Sequence, residues 1–209
     1  MLSVPTVMVT AFVMLLAWWL FHRYNISRRE AYIEHYRFPE RLRQAIQQKY
    51  PHLSAEDVAW VIMGLREYFQ ICNQAGRRMV AMPSQVIDVA WHEFILFTRE
   101  YQKFCKSGLG RFLHHTPAEA MHSATQAQKG IRNAWYYACQ REGIPAKRPT
   151  TLPLLFAIDN DLGIADGFTY HLNCEKAADG YCAGHIGCGG SGGCGGDTDG
   201  GCGGGCGGD

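Results

Sequence analysis

The sequence predicts a mostly α-helical protein in three unlike parts: an N-terminal transmembrane helix, a compact helical bundle domain and a disordered Gly/Cys-rich tail. Three observations predict it. Residues 4–21 carry no charge, residues 50–172 hold apolar positions at helical spacing between capping residues, and 16 of the 24 glycines follow Asp179. The corresponding boundaries are 1–24 for the anchor, 25–49 for a charged helical connector, 50–172 for the bundle and 173–209 for the tail. A chain of 209 residues has room for one ordinary domain plus such appendages. The formal net charge of +1 implies no broad basic surface, so no nucleic-acid partner is indicated.

The anchor reads VPTVMVTAFVMLLAWWLF from Val4 to Phe21. At 1.5 Å per residue this run spans roughly 27 Å, close to a bilayer's hydrocarbon thickness. Pro5 stands at its start, where a missing N–H does little harm. Trp18, Trp19 and Tyr24 fall at its far end, where amphipathic rings favour the headgroup region. The alternatives are a cleaved signal peptide or a buried helix; a signal peptide would carry a basic start and a small-residue cleavage site, whereas nothing basic precedes this run and Trp-Trp-Leu-Phe-His-Arg follows. The expected partner of residues 4–21 is therefore the lipid bilayer. Arg23, Arg28 and Arg29 follow the run and place the C-terminal bulk in the cytoplasm by the positive-inside rule. In that compartment the nine cysteines stay mostly reduced; the reverse topology would oxidise those of the tail.

Residues 28–49 read as a helix-rich connector broken near Pro39. Ser54-Ala-Glu-Asp57 opens the next helix with a capping-box pattern. Val58, Val61, Ile62, Leu65, Phe69 and Cys72 then form one apolar face, and Gly76 ends it. Met82-Pro83-Ser84 starts a second helix expected to run to about Lys106. Thr116-Pro117-Ala118-Glu119 is a capping box with Pro at the first helical position, opening a helix to about Arg141. Gly143 and Pro145 break it. Residues 152–162 read as a last short helix, and residues 163–172 as a turn with one short strand. With no strand–helix alternation, a bundle is the natural architecture.

Asp88 and His92, four apart, share one helical face. A carboxylate beside an imidazole can orient it or ligate a metal with it. His114 and His115 lie in the following loop and reach that helix only if the loop doubles back. Two imidazoles and a carboxylate suit a divalent metal such as Zn²⁺, or Fe²⁺ in a facial arrangement, so the candidate ligands are Asp88, His92, His114 and His115. The structural alternative is a hydrogen-bonded Asp/His pair with a loop-tying His-His pair. Cys72 and Cys105 read as small buried hydrophobes. Asp159, Asp161 and Asp166 lack the EF-hand pattern and read as helix-terminating and turn-capping residues. No phosphate loop, nucleophile elbow or dinucleotide fingerprint occurs.

The stretch from Val86 to Cys105 with its Asp-x-x-Trp-His core, then Phe112-Leu-His114-His115-Thr-Pro117, resembles the glycine-rich domain-containing protein-like family. Its bacterial relatives are similar also in the segment Leu162–Phe168. The resemblance covers about residues 50–172 and leaves the anchor outside. It implies no catalytic residue set; plant members are associated with growth and stress responses. Plant members tend to read Trp-His-x-His, and Phe94 stands at the second His position here, which weakens a His-x-His ligand pair.

From Tyr181 onward so much Gly offers too little apolar surface to fold. Cys182, Cys188, Cys194, Cys202 and Cys206 include no Cys-x-x-Cys pair, so no defined zinc or iron–sulfur site is signalled. With His185 they remain weak candidate ligands for soft metals. The sequence favours a membrane-tethered binding or scaffold domain with a protein partner. Two alternatives stay open: a metal-dependent enzyme centred on Asp88, His92 and His114 or His115, and a carrier for a thiol-rich, metal- or redox-active tail. No catalytic residue is assigned.

Overall fold

The computed structural model describes residues 4–115, 124–172, 181–183 and 186. Its helices are α1 (Val4–His35), α2 (Glu40–Lys49), α3 (Ala55–Ala75), α4 (Gln85–Leu96), α5 (Thr98–Phe104), α6 (Ala124–Glu142) and α7 (Leu154–Asp161), with a π-helical turn at Cys105–Leu109. Two short strands, β1 (Tyr170–His171) and β2 (Tyr181–Cys182), pair in parallel, Tyr170 opposite Tyr181. The mostly helical bundle predicted from periodicity is what forms.

The bundle is organised around α3, which packs on α1, α2, α4, α6 and α7. Its N-terminus is fixed as the capping pattern requires. The Ser54 backbone N–H donates to Asp57 Oδ2 at 2.8 Å, and the Asp57 N–H donates to Ser54 Oγ at 3.1 Å. The six apolar positions read from the sequence are all buried. Gly64 lets α4 approach closely, since a Cβ there would meet Ile87 Cδ1 at 2.5 Å. Phe69 of α3 joins Phe38, Phe94 and Phe104 in a cluster of tilted and edge-on rings that closes the core beneath α4 and α5.

Three expectations are corrected. The residues expected as the anchor and as the start of the connector form one unbroken helix, α1, ending only at His35. The connector is helical and broken near Pro39 as expected, with α2 beginning at Glu40, and its Ile33, Leu42 and Ile46 are fully buried. The predicted helix from Ser84 to Lys106 breaks at Phe97 and then widens into the π turn, ending at Gly110 with φ +67°. The folded part also extends past residue 172, because β2 pairs with β1, Ala183 is fully buried and Ile186 packs on the core. The capping box at 116–119 and most of the tail lie outside the described residues.

A seam of amide and guanidinium donors on α3 bonds α1 to the bundle. Asn73 Nδ2 donates to the Ile26 carbonyl at 3.2 Å and Gln70 Nε2 to the Glu30 carbonyl at 3.0 Å. Arg66 donates to the carbonyls of Ile33, Glu34 and Tyr36, satisfying acceptors that the end of α1 leaves open. Before this seam, every large apolar side chain from Met8 to Phe21 is exposed. Among the described residues no helix is long and apolar enough to cross a membrane.

Candidate metal centre

The site is built on α4, whose start is held from a distant part of the chain. Ser84 caps α4, its hydroxyl accepting from the Ile87 N–H at 3.3 Å. Asp159 of α7, 3% exposed, accepts from Ser84 Oγ at 2.7 Å and from the N–H groups of Gln85 at 2.7 Å and Val86 at 3.1 Å. It also accepts from the Phe168 N–H at 2.9 Å. A buried carboxylate thus meets the positive end of α4 and its unpaired first-turn donors. Asp88 follows one turn later and His92 two.

The break at Phe97 and the π turn send the chain back over α4. Trp91 Nε1 donates to the Tyr101 hydroxyl at 3.1 Å, and that hydroxyl donates to the Leu113 carbonyl. This chain of bonds pins residues 113–115 against α4, and the Trp91 ring meets the His115 ring at 4.6 Å between centroids. His115 is brought to the site. His114 is not: it is exposed, and its ring packs edge-on against Phe112.

One ligand atom each from Asp88, His92 and His115 can be chosen so that all lie within 4.8 Å of one another. His92 Nε2 and His115 Nδ1 are 3.1 Å apart, and His115 Nε2 is 2.8 Å from Asp88 Oδ1. His92 Nδ1 lies 3.7 Å from Asp88 Oδ2. Two nitrogens bound to one tetrahedral zinc at about 2.0–2.1 Å would be about 3.4 Å apart, so the imidazole pair fits an ion with little movement. Asp88 on the other nitrogen of His115 then resembles the carboxylate that orients a ligating histidine. The side chain of His115 is 13% exposed and that of His92 51%, so the centre opens to solvent on the His92 side.

Tyr50, at the end of α2, escaped the sequence reading. Its hydroxyl is buried with no hydrogen-bond partner among the described residues. Burial first, then the carboxylates of Asp166, Asp159 and Asp88, push its pKa up to about 12, so it stays a neutral hydroxyl beside an acidic group. Cys72 and Cys105 are buried as expected; burial pushes the Cys72 thiol up to about 12 and raises that of Cys105. Cys182, a weak candidate ligand from the sequence, is buried in β2 and disulfide-bonded, which removes its sulfur from any ligand set and corrects the expectation of a free thiol there. His185, Cys188, Cys194, Cys202 and Cys206 lie outside the described residues.

A protein-family model described as UCP032817-like matches residues 28–190. The match takes in Asp88, His92 and His115 and begins after the uncharged run. No curated protein and no solved structure matches the chain.

Proposed function

The chain belongs to the UCP032817-like family, and on that premise we propose that it is a membrane-tethered helical domain whose working part is a divalent-metal centre at His92, His115 and Asp88. The observation that carries the reading is the convergence of these three side chains from α4 and the returning loop. His115 ligates through Nδ1 and His92 through Nε2, while Asp88 accepts from His115 Nε2–H and fixes the ring. An ion held there would be reached from solvent on the exposed His92 side, where a partner or substrate donor would enter. Borderline nitrogen ligands suit zinc first.

The test is elemental analysis of the full chain purified without chelator. About one equivalent of metal, absent from His92→Ala and from His115→Ala but retained by His114→Ala, supports the reading. A folded protein whose metal content is unchanged in the His92 and His115 variants sinks it.

Tethering is supported by the apolar surface of α1, which no other described part of the chain covers and which Val4–Val7 lengthen in sequence to 18 uncharged residues. Arg23, Arg28 and Arg29 favour a cytoplasmic domain; the Cys182 disulfide favours an oxidising compartment. Labelling of an exposed cysteine introduced at Lys103, by an impermeant maleimide on intact cells, decides between the two sides. Recovery of the intact chain in the soluble fraction would overturn the tether.

A further inference from the structure

Three chain segments far apart in sequence meet at one end of the domain, the end from which the apolar part of α1 emerges. Asn73, near the end of α3, bonds the Ile26 carbonyl, so the loop after α3 lies beside the first turn of α1 past Tyr24. Arg111 Nε donates to the Gly76 carbonyl at 3.0 Å, which brings the segment after the π turn to the same place. Arg29 lies over Gly110, where a Cβ would meet its guanidinium at 2.1 Å. Residues 22–29, 75–84 and 105–115 together hold seven Lys or Arg and no Asp or Glu. Among the described residues none of these cations is paired with a carboxylate. The nearest acid on α1, Glu30, is engaged by the Gln74 amide at 2.9 Å.

We propose that this end is a binding surface for the headgroups of anionic membrane lipids, formed by Arg23, Arg28 and Arg29 of α1, Arg77 and Arg78 of the α3–α4 loop, and Arg111. The inference rests on the tethering reading above and adds to it. A helix anchor alone needs only its own flanking charges; here the fold adds three arginines from elsewhere. Arg23, Arg28, Arg77 and Arg78 are exposed. Arg23 sits 6.0 Å from the Trp19 ring centroid, a cation held against an aromatic of the apolar helix as at a lipid interface. The unbroken α1, bonded along α3, leaves no flexible linker between the apolar run and this surface, so both meet the bilayer together. Each cation near an anionic leaflet raises local affinity about five-fold, and salt screens the effect.

The full chain is reconstituted into vesicles of equal parts phosphatidylcholine and phosphatidylglycerol, with brominated acyl chains on one lipid or the other. Quenching of Trp18 and Trp19 then reports which lipid surrounds the helix. The proposal expects brominated phosphatidylglycerol to quench about two-fold or more better at low salt. That preference falls toward parity at high salt and in the exposed double variant Arg28→Gln/Arg77→Gln. Equal quenching by the two lipids, or a preference untouched by the double variant and by salt, overturns the proposal while leaving the anchor standing. Absence of quenching by either lipid overturns both.

Discussion

Replacing Asp159 by Ala removes the acceptor that holds the start of α4, and the loss can be worked from its four bonds. Ser84 Oγ, the N–H groups of Gln85 and Val86, and the Phe168 N–H all lose their partner. A hydrogen bond to a charged group is worth about 1.5–3 kcal/mol, and a buried donor left unmet costs about 1–3 kcal/mol. The bonds to Ser84 Oγ and to the Val86 N–H are buried, while the other two are partly buried and can recover a water. The serine hydroxyl can also rotate to a new acceptor. A net loss of about 3–5 kcal/mol follows, a large share of a typical 5–15 kcal/mol. Asp159→Asn keeps the shape and one good acceptor but turns an amide N–H toward donors, costing about 2–3 kcal/mol. Urea unfolding in detergent, followed by tryptophan fluorescence, measures both. Because Asp88 sits one turn into α4, the Ala variant also binds metal more weakly. If either substitution shifts stability by less than about 0.5 kcal/mol, as an ordinary surface change does, the clamp has been misread.

Other outcomes follow from the same contacts. Gly64→Ala costs about 1–3 kcal/mol in the same unfolding assay, because Ile87 must move out of a 2.5 Å contact; a neutral result shows that α3 and α4 are less closely packed. Asp57 is held below the ordinary carboxylate range by the Ser54 N–H first and the Ser54 hydroxyl next. Its stabilisation is therefore present above the unfolded pKa and lost as pH falls through the lower native value; Asp57→Asn flattens that acid limb of the stability curve. Native protein at pH 8 leaves Cys72 and Cys139 unmodified by iodoacetamide in peptide mapping. Burial pushes their thiols up to about 12 and about 11, so no more than about a thousandth is thiolate. Rapid labelling of either means that the core opens. Asp88→Asn keeps the metal stoichiometry but weakens affinity about 10–100-fold, the usual cost of losing an orienting carboxylate; complete loss would make Asp88 a direct ligand.

Local chemistry was legible in the sequence and distant chemistry was not. Ser54, Asp57, Gly76 and Ser84 announced helix ends because capping is decided within four residues. Asp88 and His92 were found because helical spacing alone puts them on one face. His115 could not be separated from His114, since the choice depends on Trp91 and Tyr101 reaching the Leu113 carbonyl. The bend at Phe97 carries no Gly or Pro to signal it, yet without it the loop would not return. The turn-capping character expected of Asp159 was right in kind, but the helix it clamps begins 74 residues earlier, at Gln85. The polar seam of α3 on α1 carries no local signal, because the buried Gln70 and Asn73 reach carbonyls 40 and 47 residues away in the sequence. The parallel pairing of β2 with β1, Tyr170 opposite Tyr181, joins strands of two residues each, too short for any alternation to show in the sequence.

X-ray absorption at the edge of whatever metal copurifies with the full chain addresses the centre most directly, because it reads the donor atoms themselves. Two imidazole nitrogens near 2.0–2.1 Å with oxygen completing the shell, reduced to disordered light scatterers in His115→Ala, is the expected spectrum. A shell of sulfur near 2.3 Å would instead place the metal on cysteines of the tail and empty α4 of the role given to it here.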